Sequence, residues 1–243
     1  MGEGPDGPAR TDAPASAVAE EQRKADAEVD ERRAIALVVG VAATVAFVVL
    51  RTVVALGGHD PLPIDLWWND LMLATLTDVG VVIAWVPAIV GGTIGMILIG
   101  LLLVLLLWWR RGRWDAATMA IGIVTVVAIG APMAAVIARL RPENSMAEKM
   151  ATSFPSGHTA VATTVVVILG LLLRRWWVWA AGAAWVVLMM WSRTYLHAHW
   201  ASDVVAGLLE GIAVATLVWT AVEAFRDRRA RTTAAETEGD SNG

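Results

Sequence analysis

Residues 154–159, Phe-Pro-Ser-Gly-His-Thr, form a short polar segment directly in front of an apolar run. A proline followed by Ser-Gly-His is typical of a helix start, where several backbone N–H groups have no intrahelical acceptor. Such N–H groups, at the positive end of the helix dipole, bind anions. Gly157 allows close approach to the backbone, and Ser156 and His158 add side-chain donors. Taken alone, the segment is either an anion site or simply a helix cap.

Two further clusters favour the anion site. Arg139-Leu140-Arg141-Pro142 precedes the segment, and a Ser-Arg pair at residues 192–193 begins a polar stretch that contains His199 and Asp203. His199 and Asp203 are four residues apart and therefore lie one helical turn apart on one face. Phosphoryl transfer requires cations around the phosphate oxygens, a nucleophile in line and a proton for the leaving oxygen. Arginine and histidine are residue types that supply these functions.

These segments resemble the three motifs of the type 2 phosphatidic acid phosphatase superfamily, which includes bacterial lipid-phosphate phosphatases and vanadium haloperoxidases. The motifs are Lys, six residues, Arg-Pro; then Pro-Ser-Gly-His; then Ser-Arg, five residues, His, three residues, Asp. The second and third are complete here. In the first, Arg141-Pro142 is present, but Ala134 stands at the lysine position. The resemblance extends over roughly residues 60–225.

The resemblance and the chemistry together imply a role for each motif side chain. His199 would be the nucleophile and form a phosphohistidine. Asp203 would accept the proton on the other ring nitrogen and orient the reactive one. His158 would protonate the leaving group and then activate water. The residues expected to bind the substrate phosphate are Arg141, Ser156, Gly157 and Arg193.

Three other polar residues near the motifs receive less specific interpretations. His197 lies off the motif spacing and is expected to be structural. His59, in a Gly-Gly-His-Asp turn, is expected to be a loop residue. Arg139 is interpreted as an interface anchor without substrate contact.

Composition predicts an all-α, polytopic membrane protein. The chain has 243 residues, of which 57% are hydrophobic, and contains several long apolar runs. We predict six transmembrane helices in a bundle, with an amphipathic helix at residues 61–78 lying in the membrane interface. The predicted spans are residues 34–56, 80–109, 116–138, 159–173, 176–191 and 203–225. The predicted domains are a disordered tail (1–31), the six-helix phosphatase-like domain (32–225) and a second disordered tail (226–243).

The distribution of Lys and Arg predicts the orientation in the membrane. With the N-terminus inside, only five of the 19 basic residues fall on the outer side: Arg51, Arg139, Arg141, Lys149 and Arg193. By the positive-inside rule, both termini are cytoplasmic and all three motifs lie at the outer face. The predominance of arginine over lysine suggests a bacterial genome of high GC content. We therefore predict a multi-pass protein of the bacterial plasma membrane.

The predicted function is hydrolysis of a lipid phosphate, with undecaprenyl diphosphate, phosphatidic acid and phosphatidylglycerol phosphate as open alternatives. Neither a metal nor another cofactor is implied, because the motif arginines take the place of a metal, and no nucleic-acid site is expected. Two alternatives remain: a catalytically weakened lipid-phosphate binder, and a small non-enzymatic membrane transporter. A haloperoxidase fits less well because that branch of the family is soluble. The oligomeric state is left open.

Ala134 leaves the first motif one cation short. A lysine at this position would reach a phosphate oxygen, which alanine cannot do. Lys149 is the one lysine on the predicted outer side, and its loop leads into residues 154–158. We therefore predict that Lys149 binds the phosphate in place of the motif lysine, with Arg139 as the rival.

If Lys149 has this role, Lys149→Ala should lower kcat/KM for lipid-phosphate hydrolysis about tenfold or more, because a charge-assisted contact of ~1.5–3 kcal/mol is lost. Adding Ala134→Lys should restore part of that loss. Steady-state phosphate release from the purified protein measures both effects. Wild-type kinetics in Lys149→Ala would exclude the substitution.

Overall fold

The computed structural model describes residues 13–146 and 152–241, and within them the chain folds into eight α-helices without a β-strand. The all-α prediction is confirmed. The helices, in chain order, are α1 (Ala13–Leu56), α2 (Pro63–Ala74), α3 (Asp78–Val90), α4 (Thr93–Arg111), α5 (Arg113–Ile137), α6 (Gly157–Leu173), α7 (Trp176–Tyr195) and α8 (Ala201–Ser241).

Four of the described helices are long and apolar enough to cross a membrane. They are α1 over Ala27–Leu56, α4 over Ile94–Arg111, α5 over Arg113–Ile137 and α8 over Ala201–Thr237. Two more, α3 and α6, are apolar but shorter. The polytopic membrane architecture is therefore confirmed, whereas the predicted number of six spans stays a prediction.

The helices at the two ends of the chain extend beyond the predicted spans. Residues 13–31 belong to α1 and residues 226–241 to α8, where the sequence predicts disordered tails. These segments are rich in Ala, Glu and Arg, which favour helix. Arg33 of α1 also pairs with α8, at 2.5 Å from Asp227 and 3.6 Å from Glu223. Residues 1–12 and 242–243 lie outside the described residues, and the division into tails and a domain stays a prediction.

The apolar run at residues 80–109, predicted as one long span, is two helices. Gly91 ends α3 and Gly92 precedes the first residue of α4. A side chain on Gly95 would collide with the carbonyl oxygen of Val90, so the close return of the chain after the break requires glycine there. The spacing of apolar residues does not reveal such a break, because both helices are apolar.

Helix α6 lies between α5, α7 and α8. Helix α8 approaches it closely at Gly207, where a Cβ would lie 3.1 Å from the Cβ of Thr159. The predicted amphipathic helix is present as α2, with Trp67 exposed and Asp65 and Met72 buried. It packs against α7 and α8. As a result, the starts of α6 and α8, the ends of α5 and α7, and α2 meet at one end of the bundle.

Candidate active site

The three motif segments are joined by backbone hydrogen bonds. The N–H of Ser153 donates to the carbonyl of Arg139 over 2.8 Å, and Leu140 and Thr152 form an isolated antiparallel bridge. The N–H of Ser156, at the start of α6, donates to the carbonyl of Asp203 over 3.0 Å. The loop after α5 is thereby fixed to the first turns of α6 and α8.

Arg139 is the centre of a buried charge network. Its guanidinium lies 2.6 Å from Asp203 Oδ1 and 2.7 Å from Asp65 Oδ2, and all three side chains are 0% exposed. The same guanidinium also donates to the carbonyls of His59, over 3.3 Å, and Asp60, over 3.1 Å. The interpretation of Arg139 as an interface anchor is therefore wrong, because two carboxylates bind it in the interior.

Asp65 connects α2 to the same network. Its carboxylate accepts from the N–H of Ser202 over 2.7 Å and from the Ser202 hydroxyl over 2.8 Å. It also accepts from the N–H of Leu62 over 2.9 Å, at the start of α2. Besides its ion pair with Arg139, this carboxylate therefore binds α2 to the first turn of α8 and closes the N-terminus of α2.

The tautomer of His199 is determined by a backbone carbonyl. His199 Nδ1 lies 2.7 Å from the carbonyl oxygen of Ser153. A carbonyl can only accept a hydrogen bond, so the proton resides on Nδ1 and Nε2 keeps its lone pair. Nε2 is 3.4 Å from Nη1 of Arg141. The Nε2 lone pair of His199 therefore lies beside the Arg141 guanidinium, which can bind an anion.

Asp203 has a different role from the predicted one. Its Oδ2 is 3.8 Å from His199 Nδ1, beyond hydrogen-bond distance, and accepts instead from the N–H of Trp200 over 2.9 Å. Its other oxygen is bound by Arg139. The expectation that Asp203 takes the His199 proton is thus corrected: the Ser153 carbonyl lies closer, and Asp203 acts on the ring through its charge.

Burial lowers the pKa of His199, and the positive charges of Arg193 and Arg141 lower it further. The charge of Asp203 opposes this effect without reversing it. The ring is accordingly neutral at neutral pH, which is the state in which Nε2 can act as a nucleophile.

A cavity of about 500 Å³ opens in front of His199. Its polar part contains Arg141, Gly157, His158 and His199, and Ala134 and Gly130 of α5 belong to its wall. The rest of its lining is mostly apolar: Met96, Val126, Val127, Ala131, Pro155, Ala160 and Val161, together with Thr152. A polar end beside an apolar wall suits an anion attached to a hydrocarbon chain.

Two of the predicted phosphate-binding residues, Ser156 and Arg193, are not in this lining. Ser156 is 0% exposed, and its hydroxyl accepts from Thr159 Oγ1 over 3.2 Å. Arg193 is 1% exposed, and its carbonyl accepts from the N–H of His199 over 3.2 Å. Lys149 lies outside the described residues, as does any contact that it makes.

The two other histidines of this region have structural positions. Nδ1 of His197 is 2.8 Å from Asn69 Oδ1 of α2, and burial lowers the pKa of His197. His59 is in the loop before α2. Within residues 13–146 and 152–241 no cluster of three or more His, Asp or Glu side chains could hold a metal ion.

Sequence reasoning missed Asp65, Ser153 and Ser202. Asp65 was detectable, because it shares the buried face of α2 with Met72, seven residues on, and a charge on such a face requires a partner. Ser153 contributes its carbonyl to His199, so its residue type carries no signal of this contact. Ser202 lies beside Asp203, but its contact with α2 depends on the tertiary fold.

Comparison with known proteins agrees with this geometry. The family model of the PAP2 superfamily matches residues 115–227, a range that includes all three motif segments. An undecaprenyl-diphosphatase of Sulfolobus acidocaldarius is 38% identical over 114 residues. That match covers 44% of this chain and 55% of the relative, so the chain spans about half the length of the curated relative that it matches.

Two solved structures share the fold. A PAP2-type phosphatidylglycerolphosphate phosphatase from Bacillus subtilis superimposes with a TM-score of 0.66 at 20% identity, over 78% of this chain and 96% of the other. LpxE from Aquifex aeolicus superimposes with a TM-score of 0.56 at 21% identity, over 63% of this chain and 93% of the other. At these identities the likeness concerns the fold.

Asp65→Ala should destabilise the protein strongly, because it leaves Arg139 with one buried carboxylate instead of two. Removing one partner from a buried ion pair costs about 3–5 kcal/mol. Thermal unfolding of the purified protein in detergent measures this loss. Asp70→Ala, an exposed position on the same helix, is the matched control and should unfold near the wild-type Tm. Equal Tm values for the two variants would contradict the role of Asp65.

Proposed function

We propose, on the premise that residues 115–227 belong to the PAP2 superfamily, that the protein is an integral-membrane phosphatase that hydrolyses lipid phosphates through a phosphohistidine. One observation carries this proposal. The Ser153 carbonyl holds the proton of His199 on Nδ1, so Nε2 presents its lone pair beside Arg141 at the polar end of the cavity.

The phosphate of the substrate binds at the polar end of the cavity. Arg141 binds two of its oxygens, and the first backbone N–H groups of α6, at Gly157 and His158, bind the third. Gly157 is exposed there, and none of the described residues has an atom within 4 Å of where a Cβ would be. The backbone can therefore approach the anion closely. The buried charge of Arg193, which acts on His199, adds to this attraction.

In the first step, the bond from His199 Nε2 to phosphorus forms as the bond to the leaving oxygen breaks, and His158 protonates that oxygen. In the second step, His158 takes a proton from water, the water oxygen bonds to phosphorus, and the bond to Nε2 breaks. Inorganic phosphate leaves and His199 returns to its neutral form.

Asp203 and Arg139 support the charge of the intermediate. The phosphorylated ring gains positive charge when Nε2 bonds to phosphorus. Asp203 Oδ2, 3.8 Å from Nδ1, stabilises this charge through space, and Arg139 prevents the carboxylate from rotating away. The Ser153 carbonyl keeps its hydrogen bond throughout, because Nδ1 stays protonated.

The substrate class follows from the cavity and the relatives. A single polar end next to an apolar wall fits a terminal phosphate on a lipid. The Sulfolobus acidocaldarius relative is an undecaprenyl-diphosphatase, which makes a polyprenyl diphosphate the first substrate to test. Phosphatidic acid and phosphatidylglycerol phosphate are the diacyl alternatives, the latter in line with the Bacillus subtilis fold neighbour. Ala134, in the cavity wall, offers no cation to the phosphate, so the alternative of a catalytically weakened lipid-phosphate binder is still open. The same assay tests it.

His199→Ala should lower kcat about 10³-fold or more, because the nucleophile is removed. Phosphate release from polyprenyl diphosphate and diacylglycerol phosphate, by protein purified in detergent, measures this loss. His59→Asn is the matched control, because asparagine tolerates the positive φ of 68° at this position. Rapid quenching with ³²P-labelled substrate should trap an acid-labile phosphoprotein in the wild type.

Two outcomes would contradict the proposal. Activity of His199→Ala within about tenfold of the wild type would exclude the phosphohistidine. A wild-type protein that binds these lipids in equilibrium dialysis but releases no phosphate would favour the non-catalytic binder.

We also propose that the protein lies in the bacterial plasma membrane with both termini in the cytoplasm and the cavity facing outward. The positive-inside rule supports this orientation: five of the 19 basic residues lie on the proposed outer side.

Single cysteines test the orientation, because the native chain contains none. Asn144→Cys, at an exposed site in the loop near the cavity, should react with an impermeant thiol reagent in intact cells. Arg175→Cys, in the exposed turn between α6 and α7 at the other end of α6, should react only after the cells are opened. The opposite pattern would place the cavity in the cytosol.

A further inference from the structure

Glu210 is a buried acid that the proposed reaction does not use. It lies on α8, seven residues after Asp203, and therefore on the same face and about 10 Å further into the bundle. Its side chain is 3% exposed, and neither carboxyl oxygen has a hydrogen-bond partner among the described residues. A charged carboxylate in such surroundings is strongly unfavourable, so the carboxyl group is neutral. It then has an O–H donor without an acceptor in the described part of the protein.

Gly130 separates this carboxyl group from the cavity. A Cβ on Gly130 would lie 3.2 Å from Glu210 Oε1, and Gly130 belongs to the cavity wall. Ala134, one helical turn nearer to Arg141, is also in the wall. Because residue 130 has no side chain, only its backbone lies between the cavity and the carboxyl group, whose two oxygens are buried.

The position of Gly130 relates Glu210 to the substrate. The reacting phosphate is proposed to bind at Arg141 and His199, at the polar end of the same cavity. Gly130 belongs to the mostly apolar wall, along which the lipid chain would extend. The part of the substrate nearest to Gly130 would therefore be the part of the lipid just below the reacting phosphate.

We propose that Glu210 is a specificity-determining residue: its neutral carboxyl group turns toward the cavity beside Gly130 when substrate binds and donates a hydrogen bond to an oxygen acceptor in the lipid below the reacting phosphate. The acceptor is either an ester carbonyl of a diacyl lipid or the inner phosphate of a lipid diphosphate. Both offer an oxygen lone pair where a plain hydrocarbon chain offers none. This inference rests on the proposed function and adds to it a contact that selects among lipid phosphates.

The experiment compares three substrates with purified protein in detergent: a diacylglycerol phosphate, a polyprenyl diphosphate and a polyprenyl monophosphate. The last has no acceptor below its single phosphate apart from the ester oxygen that leaves. Glu210→Leu removes the donor, Glu210→Gln keeps a donor, and Gly130→Ala places a methyl group between the carboxyl group and the cavity. Thermal unfolding establishes that each variant is folded.

For Glu210→Leu and Gly130→Ala, the KM for the substrate with the acceptor should rise about tenfold relative to the KM for polyprenyl monophosphate, the effect of one lost hydrogen bond. For the same two substrates, the ratio of kcat values should stay within about twofold of the wild-type ratio. Glu210→Gln should restore most of the wild-type KM ratio. The substrate that shows the change identifies the acceptor as an ester or an inner phosphate.

Equal changes in KM for all three substrates, or no change for any of them, would overturn the role of Glu210 and leave the proposed function intact. If Glu210→Leu is unfolded, the same comparison made with Glu210→Gln and Gly130→Ala decides: unchanged KM ratios in Gly130→Ala overturn the inference. A wild-type protein that hydrolyses none of the three substrates would overturn the proposed function and this inference together.

Discussion

The position of Arg139 between two buried carboxylates is the interaction on which the rest of the site depends. A buried guanidinium is tolerated only if its charge and its N–H groups are matched, and Asp65 and Asp203 provide this match at 2.7 and 2.6 Å. These carboxylates come from α2 and α8, and Arg139 comes from the loop after α5. One cation therefore fixes the relative positions of three chain segments that are far apart in sequence.

The network also divides the charges of the site into two layers. Arg139 is neutralised by its two carboxylates and has no charge left for an anion in the cavity. Arg141, two residues later, reaches the cavity wall, while the excess negative charge of the network lies behind His199. Arg141 thus offers a positive charge to a phosphate in the cavity. Asp203 offers a negative charge on the other side of the His199 ring, which is proposed to accept the phosphoryl group. The two arginines of one short motif therefore have different tasks: Arg139 binds the buried carboxylates and Arg141 lines the cavity.

The sequence was sufficient to predict the broad architecture. The helix start at Gly157 and the amphipathic character of α2 are local features, and each has its counterpart in the structure. His199, by contrast, lies before the first residue of α8, so the helical spacing did not predict its contact with Asp203 correctly. The break between α3 and α4 was not predictable from hydropathy, because Gly91 and Gly92 interrupt a run that is apolar on both sides. The partner of Arg139 was not predictable either: Asp65 lies 74 residues away, and only the packing of α2 against α8 brings the two together.

The hydrogen bond from His199 to the Ser153 carbonyl affects which sequence changes the protein can tolerate. The acceptor is part of the main chain, so every amino acid at residue 153 presents the same oxygen. The orientation of the His199 ring therefore does not depend on the side-chain chemistry of residue 153. An orientation set by a carboxylate would require Asp or Glu at the partner position. The feature that has to be preserved is the path of the loop. This path is fixed by the pairing of Leu140 with Thr152 and by the hydrogen bond from the Ser153 N–H to the Arg139 carbonyl. Insertions or deletions between residues 140 and 152 are therefore the changes most damaging to the orientation of His199. Replacement of Ser153 by another small residue, which fits this buried position, is the change that it tolerates best.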